Sequence, residues 1–156
     1  MVDGNRIEAY WRSYLGTLSV DSPVRGERYE AEGWGDSPQM AHVLGVLIAS
    51  GTKTATCSAL WECEAEGERL PKVGLKTVVL DGNGEPLCIV ETRDVEVKPY
   101  DSVDARFAYE EGEGDRSLEY WRDAHWRFFS LTLPSIGKEP TMDMPLVCER
   151  FRVIYW

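Results

Sequence analysis

The stretch SPQMAHVLGVLIASGTKTATCS, residues 37–58, carries the local signals that decide how this chain folds. Ser37 stands where a helix N-cap accepts free backbone N–H groups, and Pro38 suits the first helical position, whose N–H has no intrahelical partner. Met40, Val43, Leu44, Leu47 and Ile48 recur at helical spacing and predict one apolar stripe. Gly51 falls where a left-handed residue ends a helix. The β-branched alternation of residues 52–58 then predicts a strand that starts at the helix end. Alternation sends Thr52, Thr54 and Thr56 to one face and Lys53 to the other, so Lys53 and Thr56 converge only across a turn or bulge.

Working outward, Ile7, Tyr10, Trp11, Tyr14 and Leu15 predict a helix over residues 5–15, with Asp3 as its cap and Gly16 as its stop. Residues 18–36 show no period and contain Pro23, Gly26, Gly33 and Gly35, which reads as a long irregular loop of the kind that is often functional. Toward the C-terminus, Glu62, Glu64, Glu66 and Glu68 read as an acidic, solvated loop. Strands over 76–80 and 87–97 flank Asp81-Gly82-Asn83-Gly84, a hairpin signal. Residues 101–114 read as acidic and partly helical. A third helix over 115–131 carries Leu118, Trp121, His125, Phe128 and Phe129 on one stripe. Residues 146–156 close as a strand with Phe151, Val153 and Tyr155 opposite Arg150 and Arg152. Few helices among antiparallel-looking strands predict an α+β fold, with strands 52–60, 76–80, 87–97 and 146–155 forming a small barrel.

The 156 residues suit one domain spanning 1–156. No apolar run approaches the roughly 18–20 residues of a membrane span. Val2 is followed by Asp3, Asn5 and Arg6 rather than by a basic-then-apolar leader, so a cytoplasmic location is expected. Cys57, Cys63, Cys88 and Cys148 lack a C-x-x-C pair and have only His42 and His125 as helpers, which predicts buried thiols and no metal site. Seventeen Lys and Arg against 27 Asp and Glu leave a net charge of −10. That field repels long polyanions unless a local basic patch overcomes it, and it favours a small neutral or cationic ligand, or simply solubility. There is no Gly-rich phosphate loop, H-E-x-x-H or G-x-S-x-G elbow.

Chemistry therefore has to be sought elsewhere. Lys53 and Thr56, three residues apart at a helix-to-strand junction, suit a base and a nucleophile, provided that burial keeps the lysine neutral. An exposed lysine in a Thr-rich strand fits the spacing as well. Glu111 and Glu113, set among glycines, offer an acid or an acceptor, or form a flexible acidic turn. His125, between Trp121 and Phe128, reads more as a core or cleft-edge histidine than as a ligand contact.

These residues resemble a known pattern, that of the ASCH family of PUA-like β-barrel domains, over most of the chain. The resemblance rests on Trp34-Gly35-Asp36-Ser37, on Ser50-Gly51-Thr52-Lys53-Thr54-Ala55-Thr56 and on Leu80-Asp81-Gly82. It continues through Glu111-Gly112-Glu113-Gly114-Asp115-Arg116-Ser117-Leu118, Trp121-Arg122, His125 and Cys148-Glu149-Arg150-Phe151. It implies a small mixed or antiparallel β-barrel flanked by helices, with residues 1–36 or so as an N-terminal extension, and a cleft lined by the hallmark lysine. Some small members hydrolyse N4-acylated cytidine with a Lys, a Thr and a Glu; others are reported ribonucleases, and the family is linked to RNA. Carried over by motif, Lys53 and Thr56 take the first two roles, and Glu113 the third, with Glu111 a close second. Asp36, Thr54, Ser58, Glu111, Arg116 and Trp121 become candidate substrate contacts. Ser58 departs from the basic residue that a minimal member can carry there. The expectation is an amidohydrolase for a small nucleoside, with no metal or organic cofactor and no membrane partner. RNA cleavage or binding in the same cleft is the alternative.

Overall fold

The structure is a computed structural model that describes residues 3–156; Val2, used above in reading the N-terminus, lies outside them. Among the described residues, five α-helices accompany a five-stranded mixed sheet, the α+β class expected from the sequence. The helices are α1 (Gly4–Leu15), α2 (Pro38–Ala49), α3 (Leu60–Glu66), α4 (Ala105–Glu111) and α5 (Leu118–Thr132). The strands are β1 (Tyr29–Glu32), β2 (Ala55–Ala59), β3 (Lys76–Leu80), β4 (Pro86–Pro99) and β5 (Pro145–Tyr155), hydrogen-bonded in the order β1-β3-β4-β5-β2. The chain clusters into two compact units, one of residues up to 51 with 74–92 and 152–156, the other of residues 52–73 and 93–151.

In the first unit, Asp3 caps α1 by accepting the N–H groups of Asn5 and Arg6. That helix buries Ile7, Trp11 and Tyr14 with Val78, Leu80 and Ile89, and Trp11 stacks on Tyr29 with ring centroids 4.3 Å apart. The β3–β4 hairpin turns where the sequence placed it, because the Asp81 carboxylate accepts the N–H groups of Asn83 and Glu85. The segment expected to be a loop contains β1, which runs parallel to β3 with Tyr29 opposite Lys76. Backbone pairing holds this strand; three of its four residues are exposed, so no alternation marked it. Helix α2 starts at Ser37 and Pro38 as anticipated, but its buried stripe is Ala41, Leu44, Gly45 and Ile48, whereas Met40 and Val43 are exposed. Nearly every face of α2 is apolar, and the small residues decide which one is approached: a Cβ on Gly45 would stand 2.5 Å from Leu87 Cδ1.

In the second unit, Phe107, Trp121, Phe129, Leu133, Met144 and Leu146 form the core. Strand β2 pairs antiparallel with β5, from Ala55 opposite Arg150 to Ala59 opposite Leu146. Ala55 and Ala59 enter that core and Cys57 packs against it. The acidic run beginning at Glu62 is largely helix α3 rather than a loop: Cys63 is buried and Trp61 packs on the core. On α5, Phe128 is exposed while Phe129 is buried, so the stripe is narrower than its apolar content implied. All four cysteines are free; Cys63, Cys88 and Cys148 are buried, whereas Cys57, expected to be buried too, is half-buried. No helix among the described residues is long and apolar enough to cross a membrane.

The rotated stripe of α2 gives a direct check. Ile48→Ala is expected to cost about 2–5 kcal/mol in urea unfolding, whereas Val43→Ala should stay within about 0.5 kcal/mol of the parent.

Candidate functional site

The second unit buries a lysine that alternation alone would have left beside the β2 ladder. Lys53 is 1% exposed, just before the strand begins. Its ammonium lies 2.8 Å from Glu111 Oε1, 3.0 Å from Glu113 Oε2 and 3.3 Å from the Glu111 carbonyl oxygen. An ammonium has three N–H donors and no acceptor, and all three donors are matched here. Burial by itself depresses the lysine pKa, but Glu111 and Glu113 outweigh it and the net shift is upward. The expected neutral base is therefore a charged, fully engaged ammonium, because burial brought its counter-ions along.

Gly112 makes this pairing possible. It sits at φ 72°, just past the end of α4, and a Cβ there would stand 2.5 Å from the Thr52 carbonyl oxygen. Only glycine lets the turn lie that close to the Lys53 segment with a left-handed backbone. Two further hydrogen bonds hold the same approach: Thr54 N–H donates to the Glu110 carbonyl at 2.8 Å, and the Arg116 guanidinium donates to the Thr52 carbonyl at 3.2 Å. Arg116 also stacks on the Tyr109 ring, with its guanidinium carbon 3.6 Å from the centroid.

Glu111 is the hub. Its side chain is 2% exposed and accepts from Lys53, from Trp121 Nε1 at 2.5 Å and from the Cys57 thiol at 3.4 Å. His125 Nε2 faces it at 3.1 Å, while His125 Nδ1 faces the Trp121 carbonyl at 2.8 Å. Both ring nitrogens thus meet oxygen acceptors, which the imidazolium satisfies and neither neutral tautomer does. Burial disfavours that charge, but the hydrogen bond and charge of Glu111 outweigh it and raise the His125 pKa. Glu111 itself is pushed up by burial, then carried well below the usual carboxylate range by Lys53 and His125. Two cations balance two carboxylates, and among the described residues no buried side-chain polar atom lacks a partner.

The Cys57, Glu111 and His125 donor atoms lie within 4.8 Å of one another, a spacing that a metal ion accepts. Their chemistry fits one poorly. Lys53 and Trp121 already donate to the same carboxylate, and burial pushes the Cys57 thiol well above its ordinary pKa.

The remaining candidates fall in different places. Thr56 stands opposite Glu149 on the ladder, on the other face of β2 from Cys57, and the register shows no bulge between them. The Lys53 donors go to Glu111 and Glu113, not to Thr56. Trp121 is buried at 2% exposure and acts on Glu111. Thr54 is half-buried with its hydroxyl on the Glu110 carbonyl, and Ser58 is exposed beside Cys63 Sγ at 3.6 Å. Asp36 is an exposed residue of the first unit. Glu113, 30% exposed, is the carboxylate of the pair that reaches solvent. Sequence reasoning passed over Cys57 as a member of this cluster. Its parity with Lys53 in the alternating run was the available signal.

Removing the cation is expected to be costly. Lys53→Met leaves the buried Glu111 carboxylate without its lysine counter-ion beside the partly exposed Glu113 and should destabilise the protein by about 3–5 kcal/mol in urea unfolding, with part of the loss recovered in Lys53→Met/Glu111→Gln. The pH dependence has a defined sign. A histidine whose folded pKa is raised contributes stability that is complete below its unfolded value of about 6.5 and is lost as pH rises through the folded value. Unfolding free energy should fall as pH rises from about 6.5 through the raised folded pKa of His125 in the parent, and fall less in His125→Gln.

The site's geometry and motif together meet known proteins. The family model of the ASCH domain matches residues 30–155. The structure superposes on a crystal structure of an ASCH domain from Lactobacillus crispatus JV V101 with a TM-score of 0.92 at 35% identity, covering 99% of this chain and 97% of that one. It also superposes on a crystal structure of a protein from Enterococcus faecalis V583 with a TM-score of 0.85 at 37% identity, covering 97% of this chain and 89% of that one. Among curated proteins, no match is found. The matched span contains every residue of the Lys53–Glu111–Glu113–His125 cluster, and the chain belongs to the ASCH family.

Proposed function

We propose that this chain is a hydrolase of a modified pyrimidine nucleoside, cleaving the exocyclic amide of an N4-acylated cytidine. The observation that carries the reading is the asymmetry of the two carboxylates on Lys53: Glu111 is sealed, while Glu113 reaches solvent. A ligand carbonyl oxygen can take the ammonium donor that Glu113 occupies and leave Glu113 facing the reacting carbon. The roles follow from charge. Lys53 stays protonated and stabilises the developing oxyanion in a site of low dielectric. Glu113 accepts a proton from the attacking water, then delivers it to the departing N4 nitrogen as the C–N bond breaks, releasing cytidine and a carboxylic acid. Glu111, with Trp121 and His125 fixing it, holds the ammonium in place.

Water is the nucleophile of choice in this scheme. Thr56 lies across β2 from the face that Cys57 presents to Glu111, so an attack by its hydroxyl needs a rearranged strand. A neutral nucleoside also suits the net charge of −10 better than a polyanion does.

The test is incubation of the protein with a panel of N4-acylated cytidines and short RNAs. The parent is expected to release cytidine at a rate almost independent of salt. Glu113→Gln should lose about 10²–10⁴-fold in turnover. Thr56→Ala should keep activity within about fivefold of the parent. A dead Thr56→Ala that still folds would transfer the nucleophile role to Thr56. No cytidine release, together with RNA binding or cleavage that weakens steeply with salt, would replace the hydrolase reading by an RNA-directed one.

A further inference from the structure

The register of β2 against β5 places two thiols opposite each other. Cys57 is the direct partner of Cys148, and both pack on the same core. Their position in the ladder follows from one hydrogen bond. Phe151 N–H donates to the Thr54 carbonyl at 3.0 Å, which makes Thr54 and Phe151 a hydrogen-bonded pair in this register. Hydrogen-bonded and non-hydrogen-bonded pairs alternate along an antiparallel ladder, so Cys57 and Cys148, three steps further on, form a non-hydrogen-bonded pair. In such pairs the Cα atoms are about 4.5 Å apart and the side chains are at their closest. A disulfide accepts Cα separations of about 4.4–6.8 Å.

We propose that Cys57 and Cys148 are a site of reversible oxidative modification, closing to a cross-strand disulfide between β2 and β5 under a peroxide. Cys57 is half-buried and Cys148 buried, so the oxidant meets Cys57 first. The Cys57 sulfur attacks a peroxide oxygen and breaks the O–O bond, giving a sulfenic acid and one water. The Cys148 sulfur then attacks the Cys57 sulfur, forming S–S and expelling the second water. Two thiols lose two electrons and two protons, and one hydrogen peroxide becomes two waters. The bond takes the thiol proton away from Glu111, which keeps Lys53, Trp121 and His125 as donors. Burial pushes both thiols up, Cys148 to about 12, so oxidation is slow at neutral pH and faster as pH rises. Cys63, whose sulfur lies 3.6 Å from the Ser58 hydroxyl, and Cys88, in the other unit, have no such cross-strand cysteine partner in the register described.

The experiment is treatment of the full chain with hydrogen peroxide at pH 7 and pH 9, alkylation under denaturing conditions and intact-mass and peptide-map analysis. The expected product carries two alkyl groups instead of four, links the Cys57 peptide to the Cys148 peptide within one chain, forms faster at pH 9 and reverts with dithiothreitol. Its Tm should rise by about 5 °C or more, because the bond closes a long loop of the unfolded chain. The Cys63→Ser/Cys88→Ser variant should give the same link, and Cys148→Ser none. Four alkylated thiols after treatment, a bond through Cys63 or Cys88, a link between chains, or sulfinic acid at Cys57 without a link would each overturn the proposal.

Discussion

One buried cation constrains the second unit of this protein. Lys53 is 1% exposed and carries a charge that the apolar interior opposes. Desolvating an ammonium costs several kcal/mol even after relaxation, so it persists only where geometry returns the energy. Here the return comes from three acceptors within 3.3 Å, all on residues 111–113. Other features of the unit serve that arrangement: the left-handed Gly112 that allows the close approach, the Trp121 and His125 side chains that satisfy Glu111, and the hydrogen bonds that join Thr54 to Glu110 and Thr52 to Arg116.

A buried lysine is not by itself a functional site. The first unit holds another, Lys76, with Glu27 at 2.8 Å, Glu91 at 3.4 Å and the Gly74 carbonyl at 3.0 Å. Both of its carboxylates reach solvent, at 41% and 22% exposure, and Arg152 shares Glu91. What distinguishes Lys53 is the sealed carboxylate, itself contacted by a second cation and an indole. Such a hub holds one side of the ammonium, and the partly exposed Glu113 holds another.

Much of the fold was legible because its signals are local. Asp3 caps α1, Ser37 and Pro38 start α2, and Asp81 builds the hairpin turn, each through a backbone hydrogen bond or a fixed dihedral that the residue type determines. Strand β1 and the orientation of α2 were not legible, since one depends on pairing with a distant strand and the other on which small residue is approached. The candidate site divides the same way. Motif singled out Lys53 and both glutamates, whose side chains meet in the structure, but spacing could not give the lysine's charge, which is set by partners some sixty residues away. It could not separate Thr56 from Cys57 either, because a single step of strand parity decides which side chain faces Glu111. Trp121 and His125 were visible as an aromatic stripe, and only the fold shows that their polar atoms, not their rings alone, matter.

The protonation of Lys53 is the measurement on which the account rests. A 15N-detected NMR spectrum of lysine side chains, with Lys53 assigned through Lys53→Arg, reads it directly. A charged lysine with three matched donors should give a slowly exchanging NH3⁺ signal that keeps its ammonium shift from pH 6 to at least about pH 10. Glu111→Gln should speed that exchange without displacing the backbone signals of β2. A Lys53 signal that exchanges like a surface lysine, or that moves to the neutral amine near pH 7–8, would contradict the account and restore the lysine as a general base.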